Sequence, residues 1–174
     1  YASDITRTFP ANGKFNPQQK AIYGLVLKAQ MKAIEAVAPG VPCDKPHNVS
    51  VKIITQGLVK LGLLKGRPAQ LIKAEAYRDF YMHKAGHWIG IDVHDVGDYK
   101  IKDKWRLFEP GMITTIEPGI YIAPGNRKVL KKWRGIGIRI EDDVLVTKTG
   151  YKILSTGIPK TANEIENFMS ESVS

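Results

Sequence analysis

The sequence predicts an α+β fold with an antiparallel sheet. Three observations carry this. A short strand-type run opens the chain. Two helical periodicities then follow one another without a strand between them. From Phe80 onward the apolar runs are short, rich in β-branched residues and punctuated by Pro-Gly pairs. Helices segregated from strands in this way suit an antiparallel sheet rather than alternating βαβ units.

The elements read in order as follows. Tyr1 to Phe9 carries the strand formers Ile5, Thr6, Thr8 and Phe9, and Pro10 ends the run. Nothing precedes Tyr1, so the chain is expected to start in mid-strand, as a truncated piece. Asn16-Pro17 is a cap followed by a first-turn proline. Ile22, Leu25, Val26, Ala29, Ala33, Ile34 and Val37 then recur at helical spacing until Pro39-Gly40. A second helix is expected from about Asp44 to Leu61, with Gly62 as its exit. Residues 65–79 are mixed. Met112 to Ile116 reads as a strand between Pro110-Gly111 and Pro118-Gly119. Ile136 to Val146 reads as another, interrupted by the charges Arg139, Glu141, Asp142 and Asp143. Lys148-Thr149-Gly150 is a turn from which Tyr151 to Leu154 returns as a hairpin, and a last helix spans about Ala162 to Met169 with Thr161 as its cap.

Composition limits the function classes. The 174 residues are one domain's worth, with 43% hydrophobic and 25% charged residues. That excludes disorder for the bulk of the chain. No apolar run approaches the ~20 residues of a membrane span, and Asp4 and Arg7 interrupt any signal-type apolar stretch. The single cysteine, Cys43, forms no internal disulfide and is read as inert, which fits a cytoplasmic protein. The formal charge of +9 raises nucleic acid as a partner. Its basic clusters, Lys100 to Arg106 and Arg127 to Arg134, instead read as solvated connections without regularly interleaved aromatics, so none is expected. Trp105 and Trp133, inside those clusters, are expected to face solvent or an oligomer partner. Trp88 is placed under or beside the site, and His47 on a helix surface.

The acidic residues carry more information. Asp4, Glu117 and Glu141 sit inside or at the end of apolar strand sequences, where a carboxylate is costly unless paired or bound to metal. Each alone is ordinarily a salt bridge or strand-end charge, and Arg139 is a ready partner two residues from Glu141. The segment Met82 to Asp95 shifts that reading, because it holds His83, His87 and His94, three of the four histidines, among glycines and apolar residues. Imidazole with three carboxylates suits a divalent transition ion such as Mn²⁺, Co²⁺ or Zn²⁺. The oxygen-rich set favours Mn²⁺.

These stretches resemble the Xaa-Pro aminopeptidase (aminopeptidase P) family of pita-bread metallopeptidases. The likeness rests on Tyr1-Ala-Ser-Asp-Ile-Thr-Arg-Thr-Phe-Pro10, His87-Trp-Ile-Gly-Ile-Asp-Val-His-Asp95, Glu109-Pro-Gly-Met112, Glu117-Pro-Gly-Ile-Tyr121 and Arg134-Gly-Ile-Gly-Ile-Arg-Ile-Glu-Asp-Asp143. The resemblance implies a curved antiparallel sheet with helices outside, incomplete in its N-terminal half, with residues 1–174 forming the C-terminal part of a catalytic domain. It implies Asp4, His87, Glu117 and Glu141 as metal ligands, Asp4 and Glu141 bridging two ions. His83 and His94 would line the substrate pocket and handle protons, with Tyr121 and Arg139 in support. It further implies metal-hydroxide attack on the bond before proline, Glu117 as general base, a peptide substrate with an Xaa-Pro N-terminus, and a homo-oligomer in the full-length protein. The family's further upstream aspartate ligand has no counterpart here, so one ion or none is expected in this chain, and the fragment alone is expected to be inactive. Alternatives are prolidase, acting on Xaa-Pro dipeptides, and a non-catalytic pita-bread module that binds peptides or proteins.

Overall fold

The computed structural model describes residues 1–171. Its elements in chain order are β1 (Thr6–Arg7), α1 (Pro17–Ile34), α2 (Lys45–Lys60), α3 (Pro68–Lys73), β2 (Lys100–Ile101), β3 (Lys104–Trp105), β4 (Ile113–Ile116), β5 (Gly119–Tyr121), β6 (Gly137–Val146), β7 (Tyr151–Ile153) and α4 (Ala162–Glu171). Helices α1, α2 and α4 and strands β4, β6 and β7 fall where the periodicity places them.

Each helix start has a local cause. Asn16 and Gln19 form a reciprocal capping box before Pro17. Thr161 Oγ1 accepts from the Glu164 amide, and Glu164 accepts from the Thr161 amide, which repeats the device at α4. The two long helices cross closely at Gly57, where a Cβ would fall 2.2 Å from a Leu25 methyl.

Strand β6 is the spine of the sheet. β1, β4, β5 and β7 all pair with it antiparallel. β4 and β5 are separated by Glu117-Pro118, where proline has no amide proton for the ladder. Strand alternation puts Arg139, Glu141 and Asp143 on one face of β6 and Ile140, Asp142 and Val144 on the other. The second face meets α1. There Val26 and Ala29 pack with Ile138 and Ile140 in one apolar cluster, and Ala33 and Ile34 pack with Ile116 and Val144 in another.

Asp142 is the polar exception on that helix-facing side. It is wholly buried and accepts from Arg7 Nη2 (2.6 Å), Lys160 Nζ (2.8 Å), Gln30 Nε2 (2.7 Å) and Ser155 Oγ (2.6 Å). One carboxylate therefore joins β1, α1 and the segment after β7 to the sheet.

Several expectations are corrected. β1 is two residues long, because side chains replace the ladder around it. The Asp4 amide donates to the Asp143 carboxylate, and Thr8 Oγ1 both donates to the Arg139 carbonyl and accepts from its amide. The mixed stretch 65–79 holds α3 and a 3₁₀ turn. The basic connection 100–106 contains the β2–β3 hairpin, with Lys84 and Lys100 over the Trp105 ring. Trp133 is buried in the main core rather than facing solvent or a partner. No helix among the described residues is long and apolar enough to cross a membrane.

Candidate metal centre

The extended segment around His87 runs beside β4. The Thr115 amide donates to the His87 carbonyl, the Glu117 amide to the Ala85 carbonyl, and Trp88 bridges to Thr114. This pairing brings His87 next to Glu117, and β6 brings Glu141 across from Thr6. Asp4 enters from the chain start, held by the hydrogen bond from its backbone amide to the Asp143 carboxylate.

The four residues converge. His87 Nε2 lies 3.4 Å from Asp4 Oδ2 and 3.6 Å from Glu117 Oε1. Donor atoms of His87, Glu117 and Glu141 lie within 4.8 Å of one another, and so do those of Asp4, His87 and His94. His87 Nδ1 donates to the Trp88 carbonyl at 2.9 Å. That bond directs the Nε2 lone pair at two carboxylates, an arrangement that calls for a cation between them.

Glu141 gives the second sign. Its side chain is buried, Oε2 accepts from Thr6 Oγ1, and Oε1 is buried with no hydrogen-bond partner among the described residues. Burial, with the Glu117 and Asp4 charges adding to it against the Thr6 bond, pushes its carboxyl up to about 7. A buried carboxylate with one free oxygen, next to an imidazole lone pair and two further carboxylates, is a donor set that fits a divalent ion.

Beside this cluster runs a hydrogen-bond chain. Arg139 Nε donates to Tyr121 Oη at 2.9 Å, and Tyr121 Oη lies 2.8 Å from His83 Nε2. His83 Nδ1 is 2.7 Å from the Lys84 carbonyl, so it carries the ring proton and Nε2 accepts from the tyrosine. Burial holds His83 below the usual histidine range and Tyr121 above the usual phenol value, so both are neutral near pH 7. Arg139 Nη1 also stands 3.5 Å from Glu117 Oε2. Its ion-pair partner is thus Glu117, rather than Glu141 on its own strand as the sequence suggested.

His94 lies on the exposed 90–97 loop with its ring edge-on to His87, centroids 4.4 Å apart. Three further residues at the site escaped the sequence reading. Asp143 and Thr6 secure Asp4 and Glu141. His47 is half-buried rather than on the surface, its Nδ1 3.4 Å from Tyr81 Oη and its ring held at about 4 chiefly by burial. For Asp143 the signal was period two from Glu141. For His47 it was helical spacing from Val51, Ile54 and Leu58.

The model of metallopeptidase family M24 matches residues 1–148. The Xaa-Pro aminopeptidase of Haemophilus influenzae is 54% identical over 170 residues, covering 98% of this chain and 39% of that protein. The Escherichia coli Xaa-Pro aminopeptidase is 48% identical over 169 residues, covering 97% of this chain and 38% of its own length. In structure, Pseudomonas aeruginosa aminopeptidase PepP superposes with a TM-score of 0.98 at 60% identity, over 99% of this chain and 39% of that one. Zinc-substituted E. coli aminopeptidase P in complex with product gives 0.94 at 48% identity, over 99% and 39%. The chain thus spans about 39% of the length of these relatives. Its α+β architecture is part of the pita-bread fold of aminopeptidase P. The chain belongs to metallopeptidase family M24.

Proposed function

We propose that this chain carries the metal site of an aminopeptidase that releases the N-terminal residue from peptides with proline second. The observation that carries the reading is the convergence of Asp4, His87, Glu117 and Glu141, with the His87 Nε2 lone pair and the free Glu141 oxygen directed into one cluster. These four residues would hold a divalent ion, Mn²⁺ ahead of Co²⁺ or Zn²⁺ on the oxygen-rich donor set. A bound ion would polarise the scissile carbonyl and lower the pKa of water beside it.

The chain's own groups supply the rest. Glu117 is the general base, taking the proton of the attacking water on its carboxylate, with Arg139 fixing the orientation of that carboxylate. The secondary amine of the leaving proline needs a proton. Tyr121 Oη, which accepts a hydrogen bond from Arg139 Nε and donates to His83 Nε2, is a neutral donor for it, and the proton that Glu117 takes from water restores the phenol. His94, on its exposed loop, borders the substrate at the mouth. We also place the protein in the cytoplasm, with its single thiol unpaired, and as a homo-oligomer in its full-length form.

The test is hydrolysis of an Xaa-Pro-Xaa tripeptide and of the matching Xaa-Pro dipeptide by the full-length protein loaded with Mn²⁺, with metal content measured alongside. Tripeptide cleavage that needs the ion supports the reading. Cleavage of the dipeptide alone assigns prolidase, and ion binding with neither cleavage assigns a peptide-binding module.

Two smaller predictions follow. Tyr121→Phe is expected to lower kcat about a hundredfold while leaving metal content unchanged, since it removes a proton donor but no ligand. Thr6→Val is expected to weaken Mn²⁺ affinity about tenfold, because Thr6 orients a ligand oxygen of Glu141. Isothermal titration with Mn²⁺ checks the second.

A further inference from the structure

Beside the metal cluster, bordered by His87 and by Thr114 to Ile116 of β4, lies a cavity of about 410 Å³. It sits between the start of α2, the extended segment 84–88 and the β2–β3 hairpin. Protein interiors contain few voids larger than a water molecule, and small-molecule pockets begin at about 300 Å³.

Its walls are aromatic. Trp88, Tyr99, Trp105 and Phe108 line it. Trp88 stacks on Tyr99 at 15° between planes and meets Phe108 edge-on. Trp88 is 8% exposed, and its Nε1 is buried without a hydrogen-bond partner among the described residues. His47, its ring held neutral near pH 7 chiefly by burial, also lines the space.

Two lysines stand at the Trp105 side of the cavity. Lys84 lines the cavity, and Lys84 Nζ and Lys100 Nζ stand 5.8 and 4.8 Å from the Trp105 ring centroid. Asp44, also in the lining, keeps its charge at the start of α2, where its carboxylate accepts from Asn48 Nδ2 at 2.8 Å.

We propose that this cavity is a binding site for a small aromatic anion, its rings between Trp88, Tyr99 and Trp105 and its anionic group at Lys84 and Lys100. Of the four metal ligands His87 also borders the cavity, and the test below reads binding of the anion rather than peptide cleavage, so its failure and the failure of the peptidase reading are distinguishable.

Cys43 lines the cavity and is the chain's single cysteine, which makes it an unambiguous reporter. The probes are naphthalene-1-carboxylate and its neutral carboxamide, titrated into the purified protein. Indole fluorescence and the rate of Cys43 modification by methyl methanethiosulfonate, read by intact mass, are the two signals. The carboxylate is expected to quench the indoles saturably, and at ten times its Kd to slow Cys43 modification about tenfold by mass action. The exposed pair substitution Lys84→Ala with Lys100→Ala is expected to weaken the carboxylate about tenfold and leave the carboxamide unchanged. Absence of saturable quenching up to about 1 mM, or an unprotected Cys43, overturns the site. Equal affinity for the carboxamide and the carboxylate overturns the anionic assignment.

Discussion

Glu141→Gln is expected to weaken Mn²⁺ binding by at least about a hundredfold, more than the loss of a supporting hydrogen bond costs a metal site. It is also expected to make the metal-free protein more stable at pH 8. The two effects have one cause. Glu141 is buried with one oxygen unpartnered, and its neighbours Glu117 and Asp4 add negative charge. Ionising it is costly until a cation arrives.

The sign follows from the raised carboxyl, which moves from 4.5 to about 7. Below pH 4.5 both folded and unfolded chains hold the proton, and the group adds no penalty. Between 4.5 and 7 the unfolded chain releases it while the folded chain keeps it, so stability falls as pH rises through that window. Glutamine removes this term. The gain in Tm of the metal-free variant is therefore expected at pH 8 and should vanish toward pH 4. Thermal melts with chelator at the two pH values, beside Mn²⁺ titration, decide it. A variant that binds Mn²⁺ like the parent, or whose metal-free form is destabilised at pH 8, would remove Glu141 from the centre.

The four converging donors were legible because charge inside apolar strand sequence is conspicuous. Asp4, His87, Glu117 and Glu141 each interrupt a run that would otherwise be buried, and the resemblance joined them. What stayed hidden depends on contacts distant in sequence. Arg139 bonds Tyr121 and stands against Glu117 because β5 docks beside β6, and nothing local distinguishes that from a pair with Glu141. Trp133 lies among lysines, yet the 3₁₀ turn at 131–133 directs its ring into the core. The brevity of β1 is likewise decided by side chains more than a hundred residues away, those of Asp143 and Arg7's partner Asp142.

Asp142→Ala is expected to cost about 3 to 5 kcal/mol, the range for breaking a buried charge pair. The residue has no catalytic part in this scheme. Its side chain is 0% exposed, whereas those of Arg7 and Lys160 retain 9% and 20%. The cations keep some water when their partner is lost, which places the loss toward the lower end. Gln30, wholly buried, does not, and its Nε2 loses its acceptor. Burial by itself would raise the Asp142 carboxyl. Hydrogen bonds from Lys160, Ser155 and Arg7 overcome this and hold it below its ordinary 3.8. Its contribution is therefore present above pH 3.8 and is lost as pH falls through the lower folded value. Glu141 works in the opposite direction and in a separate window, so the two terms can be resolved in one protein. Urea melts at pH 6 measure the size of the Asp142 term. Should the alanine variant fail to fold, Asp142→Asn keeps the shape and one acceptor oxygen, removes the charge and turns an NH2 group toward two of the four donors. It is expected to fold with reduced stability and with less loss on acidification below pH 3.8 than the parent. An asparagine variant as stable as the parent would mean that neither the charge nor the two hydrogen bonds accepted by the second oxygen ties β1 and α1 to the sheet behind the metal ligands.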